Sequence, residues 1–130
     1  MTRNVFIVDD DEMFSGMLME HLSRNKLLKV YLFSTGEEAL NEISKEPIVA
    51  ILDYHLNTIV KNAANGLDIL KEFKKNLPKV HAIMLSSQTK YGVAANSILE
   101  GAEQYVMKDE TAFEKIQDII TEILQEQGLS

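Results

Sequence analysis

Residues 48–57 read IVAILDYHLN, and this stretch decides how the chain folds. Five apolar residues run together and then give way to Asp53, which has no lysine or arginine near it. Residues 5–11, VFIVDDD, show the same change from an apolar run to acids. Short apolar runs without polar alternation are typical of strands buried on both faces of a parallel sheet. We therefore interpret both stretches as buried strands whose ends carry functional carboxylates.

Similar runs occur along the rest of the chain, and segments with helical spacing of apolar residues separate them. The four strong runs are Val5–Val8, Ile48–Leu52, Ala82–Leu85 and Tyr105–Met107, and a weaker one is Leu28–Phe33. The order predicts five strand–helix units, hence an α/β fold whose parallel sheet is covered on both faces. We expect residues 1–130 to form one domain, because the chain has no repeat, linker or low-complexity tract.

Helix signals support this order. Asp11 is expected to cap the first helix, and Ser34 or Thr35 the second. A fourth helix is predicted around residues 93–98. Thr111 to Glu114 reads as a capping box at the start of the last helix.

Composition excludes several classes of function. The 130 residues carry a net charge of −7 and include no cysteine. Direct binding to nucleic acid or to an anionic membrane is therefore not expected, nor is a disulfide or thiolate site. No apolar stretch approaches the ~20 residues of a membrane span, and no signal peptide is evident, so we expect a cytoplasmic protein.

A polar or charged residue follows each strong run, and in a parallel sheet these strand ends share one edge. The residues are Asp9, Asp10 and Asp11, then Asp53, then Ser86 and Ser87, and finally Lys108. Two carboxylates ~4 Å apart repel each other by about 4 kcal/mol at an effective dielectric near 20, so a cation is needed to offset them. Oxygen ligands without a His or Cys cluster favour Mg²⁺, which shares its coordination with phosphate oxygens. With a lysine and a hydroxyl, this set indicates phosphoryl transfer to a carboxylate nucleophile.

Each of these residues also has a structural interpretation. Asp11 fits a helix cap, Asp53 alone fits a turn equally well, and Lys108 alone fits a solvated loop lysine better. Ser86 and Ser87 fit a cap for the following helix. The arrival of all of them at one sheet edge is what favours a functional site.

Over essentially its whole length, the chain resembles the receiver domain of two-component response regulators. The resemblance rests on four stretches, FIVDDDE, VAILDYHL, IMLSSQT and GAEQYVMKD. They are similar to the family's acidic pair, phosphoacceptor strand, hydroxyl segment and switch-aromatic–lysine segment. The resemblance implies a flavodoxin-like, doubly wound (βα)5 fold with a five-stranded parallel sheet in the order 2-1-3-4-5.

The resemblance also implies how phosphorylation and metal binding are divided among the residues. Asp53 would accept a phosphoryl group from a sensor histidine kinase or a phosphotransfer protein, which makes the chain a regulator and not an enzyme with outside substrates. Asp10 and Asp53 would bind Mg²⁺ directly and Asp9 mainly through water, and the backbone carbonyl of His55 would add a ligand. Gln88 and His55 would modulate the lifetime of the phosphorylated state. An exposed loop position explains His55 nearly as well.

Switching is implied for a second group. Ser86 would hydrogen-bond the phosphoryl oxygen and Lys108 would pair with it, while Tyr105 swings inward as Ser86 moves. These shifts would change the face made by the fourth helix, fifth strand and fifth helix. That face would bind a downstream protein or an output domain outside these residues, and the last helix offers a surface for a homodimer.

Two features depart from the family pattern. Gly66 stands 13 residues after Asp53, farther than in the family, so we infer an insertion of about five residues in the loop 54–66, within what surface loops tolerate. Lys108–Asp109 replaces the usual lysine–proline step. A cis peptide there would cost ~3 kcal/mol without proline, so the geometry of this bond stays open.

Three other classes compete with the receiver interpretation. A phosphohydrolase of the haloacid-dehalogenase type would explain Asp9-x-Asp11, but it leaves Asp53 unexplained and needs an acidic pair after the fourth strand. A pseudo-receiver would lack the acceptor or the metal-binding acids, and both are present. Flavin binding would need a Ser/Thr/Gly-rich phosphate loop after the first strand, and the sequence has none.

Overall fold

The computed structural model describes residues 2–54, 66–87, 98 and 101–128. Its strands are β1 (Arg3–Val8), β2 (Leu28–Phe33), β3 (Val49–Asp53), β4 (His81–Ser86) and β5 (Ala102–Met107). Its helices are α1 (Glu12–Ser23), α2 (Gly36–Asn41), α3 (Gly66–Asn76) and a C-terminal helix (Ala112–Glu126), with a 3₁₀ turn at Ile43–Lys45. The loop at 55–65 and most of the predicted fourth helix lie outside the described residues. Among those described, no helix has the length and apolar character needed to cross a membrane.

The five strands form one sheet in the order β2-β1-β3-β4-β5, and every neighbouring pair is parallel. The predicted strand order is therefore confirmed. The strands differ from the apolar runs mainly at their ends, because Asp53 and Ser86 are the last paired residues of β3 and β4. Both side chains are thus held by the sheet itself and not by the loops that follow.

Side chains alternate between two buried faces, which explains why the apolar runs show no polar alternation. In β1, Val5 and Ile7 join a core with α1 and the C-terminal helix, while Phe6 and Val8 join a second core with α2 and α3. All four are 0% exposed. Because helices cover both faces of the sheet, polar groups gather where the strands end.

The helix starts were predicted with mixed success. The Asp11 carboxylate accepts the Phe14 N–H at 3.1 Å, and the Thr35 hydroxyl accepts the Glu38 N–H at 3.2 Å, so both predicted caps are confirmed. The capping box at Thr111 is wrong. Its side chain makes no cap hydrogen bond, because its hydroxyl and its N–H both donate to the Asp109 carboxylate, at 2.6 and 2.8 Å. These two bonds hold the pKa of Asp109 below its usual value.

Candidate functional site

Backbone hydrogen bonds bring the strand ends into one row at the carboxyl edge of the sheet. Asp53 lies opposite Leu85 in the β3–β4 register, and Ser86 lies opposite Met107 in the β4–β5 register. Beyond the last pairs, the Lys108 N–H donates to the Ser86 carbonyl at 2.9 Å. The residue after β5 is therefore tied directly to the last residue of β4, and the predicted site has a rigid base.

Three acids gather at this edge, as predicted. Asp9, Asp10 and Asp53 can each place one carboxylate oxygen within 4.8 Å of those of the other two. Asp9 and Asp53 are each 3% exposed, and Asp10 is half-buried. His55, expected to add a backbone ligand, and Gln88 lie outside the described residues.

Lys108 bridges two of the acids. Its ammonium donates to Asp9 Oδ1 at 3.1 Å and lies 3.3 Å from Asp53 Oδ2, with only 12% of the side chain exposed. The alternative of a solvated loop lysine is therefore wrong. Burial alone would lower the pKa of Lys108, but the hydrogen bond to Asp9 and the charges of Asp53 and Asp9 outweigh it and raise the pKa above 10.5.

The surroundings of Asp9 disfavour its ionised form. Burial, followed by the charge of Asp53, raises the pKa of Asp9 to about 7, although its bonds with the Asp11 N–H and with Lys108 act in the opposite direction. Its Oδ2 lies 2.9 Å from the Lys108 ammonium, yet this buried oxygen has no hydrogen bond of good geometry with the described residues. Asp9 Oδ2 can therefore also coordinate a metal cation.

The cluster fits a hard divalent cation. Within the described residues, three carboxylates face the Lys108 ammonium, which leaves two formal negative charges, and the atoms available to bind a metal are all oxygens. Carboxylate oxygen is the ligand that Mg²⁺ prefers in proteins. A dication would match the excess charge and add a contact to Asp9 Oδ2, which lies 2.9 Å from the Lys108 ammonium but makes no hydrogen bond with the described residues.

Ser86 and Tyr105 lie near this edge on neighbouring strands. Ser86 is 0% exposed and ends β4, whereas Ser87, directly after it, is exposed. Tyr105 lies opposite Met84 in the β4–β5 register and packs, half-buried, against the core on the α2–α3 side. The predicted hydroxyl residue thus ends β4, and the predicted aromatic residue lies on β5, the strand that Lys108 follows.

The peptide bonds of the described residues are all trans, that between Lys108 and Asp109 included. The position at which the family usually has a proline is therefore filled without a cis bond.

Two residues at the site were missed by sequence reasoning. A Cβ on Gly66 would lie 2.2 Å from the Asp53 carbonyl oxygen, so α3 begins directly against the backbone of β3. Phe14 places its ring 5.1 Å from the Lys108 ammonium. Gly66 had been noted only for its spacing from Asp53. Phe14 belongs to the apolar stripe of α1, and nothing in that stripe distinguishes a core residue from a site residue.

A five-stranded doubly wound parallel sheet with acids and a lysine at its carboxyl edge is the arrangement that the resemblance to receiver domains implies. The sequence model of the response regulator receiver domain family matches residues 5–125. The chain therefore belongs to the response regulator receiver domain family of two-component systems.

Relatives and solved structures agree with this assignment. The chain is 30% identical over 107 residues to the DNA-binding transcriptional activator DevR/DosR of Mycobacterium tuberculosis, covering 81% of this chain and 47% of that protein. The response regulator DrrB of Thermotoga maritima superposes with a TM-score of 0.83 at 25% identity, over 98% of this chain and 54% of that one. A CheY-like receiver domain protein of Methanospirillum hungatei has the same fold, with a TM-score of 0.82 at 24% identity and 98% coverage of both chains. The chain thus spans about half the length of the DevR/DosR relative.

Proposed function

We propose that this chain is a phosphorylation-activated receiver that takes a phosphoryl group onto Asp53. The observation that carries the proposal is the position of Lys108, whose ammonium lies between Asp9 and Asp53 beside Asp10 at one sheet edge. A carboxylate that can act as nucleophile, an ammonium and a pair of acids that can bind a cation suit phosphoryl transfer, which depends chiefly on positioning and charge neutralisation.

In the proposed reaction an oxygen of Asp53 attacks the phosphorus of a phosphohistidine on a sensor kinase or phosphotransfer protein. The new bond joins this oxygen to phosphorus, and the phosphorus–nitrogen bond breaks with its electron pair passing to the imidazole. Lys108 neutralises the charge that develops on the phosphoryl oxygens. Ser86, buried one residue beyond the partner of Asp53, would donate its hydroxyl to one of them.

Mg²⁺ would be held by Asp9, Asp10 and Asp53, with the His55 carbonyl as a further ligand. When bound, it would neutralise the excess negative charge and bind a phosphoryl oxygen. Mg²⁺ binding is supported by the three carboxylates, which offer oxygen ligands, and by Asp9 Oδ2, which makes no hydrogen bond with the described residues.

The output would follow from residues at the carboxyl ends of β4 and β5. Ser86 would move toward the phosphoryl group and Tyr105 would turn inward, altering the face of the fourth helix, fifth strand and fifth helix for a downstream protein or an output domain. We take residues 1–130 as one cytoplasmic receiver domain that binds neither nucleic acid nor membrane directly and whose last helix offers a homodimer surface. His55 and Gln88 would tune the lifetime of the acyl phosphate.

The test is the intact mass of the protein after incubation with acetyl phosphate and Mg²⁺. We expect one added phosphoryl group on the wild type, and none on Asp53→Asn or in a chelator. Asp68→Asn, which removes an acid from the first turn of α3, is the matched control and should be labelled normally.

Two outcomes would contradict the proposal. No label on folded wild type would favour a pseudo-receiver that binds its partner without phosphate. Label that persists on Asp53→Asn would move the acceptor to another acid, with Asp9 and the phosphohydrolase alternative first in line.

A further inference from the structure

Lys108 is held by carboxylates on one side and by an aromatic ring on another. Its ammonium lies 5.1 Å from the centroid of the Phe14 ring, within the distance at which cation–π attraction acts. The side chain of Lys108 is only 12% exposed. Since shielding from water strengthens this attraction, the contact is worth more here than on an open surface.

Two contacts hold Phe14 in place. The backbone N–H of Phe14 donates to the Asp11 carboxylate at the start of α1. Its ring packs against Phe113 at 5.4 Å between centroids, in the first turn of the C-terminal helix. Phe14 therefore connects α1 both to Lys108 and to the start of the C-terminal helix.

The Lys108 ammonium is carried on a flexible four-carbon side chain, so a contact with the Phe14 ring helps to fix its position. The ammonium lies nearer to Asp9, at 2.9 and 3.1 Å, than to Asp53, at 3.3 Å. Carboxylates alone would let it turn toward whichever acid carries more charge. The face of a neutral ring attracts it without competing for a proton or a cation.

We propose that Phe14 is a positioning residue for phosphoryl transfer, whose ring keeps the Lys108 ammonium aimed between Asp9 and Asp53. The inference rests on the proposed function, because it assigns Phe14 a part in that reaction. It goes beyond a packing role, in which any apolar side chain of similar volume would serve equally well.

The experiment compares initial rates of labelling by acetyl phosphate at saturating Mg²⁺. This small donor reaches Asp53 without a docked protein, so effects on partner binding do not enter. Phe14→Leu keeps an apolar side chain, somewhat smaller, and loses the ring, and we expect labelling to slow roughly 3- to 10-fold. Phe14→Tyr keeps the ring and should stay within about twofold of the wild type.

Phe113→Leu is the matched structural control. It removes one contact of the Phe14 ring but keeps the ring itself, so it should lower stability and slow labelling clearly less than Phe14→Leu does. Circular dichroism confirms that each variant is folded at the assay temperature.

The outcomes separate the inference from the proposed function. If the wild type is labelled and Phe14→Leu keeps its rate, Phe14 has no positioning role. The same conclusion follows if Phe14→Tyr is as slow as Phe14→Leu, or if Phe113→Leu slows labelling equally. If no variant is labelled, the wild type included, the proposed function fails and the inference fails with it.

Discussion

Replacing Gly66 with alanine tests how closely α3 is packed against the strand that carries Asp53. The new Cβ would lie 2.2 Å from the Asp53 carbonyl oxygen and 2.7 Å from the Tyr54 Cα. The first of these distances is more than an ångström shorter than the 3.4 Å of an ordinary contact. Both neighbours are backbone atoms, so no side-chain rotation relieves the clash and the chain itself must move.

The cost follows from this geometry. Overpacking of a buried site costs about 1–3 kcal/mol, and the entropic gain of a Gly→Ala change offsets only a part of the upper range. We therefore expect the free energy of unfolding to fall by about 0.5–2.5 kcal/mol. For a domain of this size the melting temperature would fall by about 2–10 °C.

Gly16→Ala is the matched control, because it makes the same chemical change at a different site. Gly16 lies within α1, and a Cβ there would meet no atom within 4 Å. We expect this variant to be more stable than the wild type by about 0.5–1 kcal/mol, since alanine favours helix.

Urea unfolding followed by circular dichroism, in Mg²⁺ and in a chelator, measures both changes. Phosphoryl labelling should also slow in Gly66→Ala, because the backbone that must move carries Asp53, and should stay normal in Gly16→Ala. A Gly66→Ala protein as stable as the wild type would refute the close packing of α3 on β3.

The remaining predictions concern the charged cluster and the hydroxyl beside it. In a chelator, we expect the free energy of unfolding of the wild type, relative to Asp9→Asn, to fall as the pH rises from about 4 to 7. Burial and the charge of Asp53 raise the folded pKa of Asp9 from 3.8 to about 7, so the folded state binds more protons in this window. Urea titrations at several pH values measure this difference, and a difference independent of pH would contradict the argument. Ser86→Ala should slow labelling by acetyl phosphate roughly 10- to 100-fold, because it removes a hydrogen bond to a charged group. Ser87→Ala, a change at the exposed neighbour, should leave the labelling rate unchanged. Equal rates in the two variants would show that Ser86 takes no part in the reaction.

Most of the fold could be predicted because its signal is local. Apolar runs such as Val5–Val8 have no polar alternation, and this indicates burial on two faces wherever they occur. The same rule located Asp9, Asp53 and Lys108, since each follows or ends such a run and parallel strands end at one edge.

What could not be predicted depends on contacts between distant segments or on competition within a turn. Gly66 packs on Asp53 only because α3 and β3 meet in space. Thr111 fits a capping box by its spacing, but Asp109, two residues earlier, binds its hydroxyl and its N–H first. The direct pairing of Lys108 with Asp9 is also a matter of three-dimensional distance, and no spacing in the sequence encodes it.

The cluster at the carboxyl edge draws on widely separated parts of the chain, since its acids follow β1 and end β3 while its ammonium follows β5. A nascent or truncated chain that stops before residue 108 contains every acid of the cluster but lacks Lys108, which pairs with Asp9 and Asp53 in the described part of the chain. Where β1 and β3 pair in such a chain, the acids repel one another without the charge of Lys108 to offset the repulsion. Completion of the last strand is therefore the step that brings the balancing charge to this edge, because Lys108 directly follows β5.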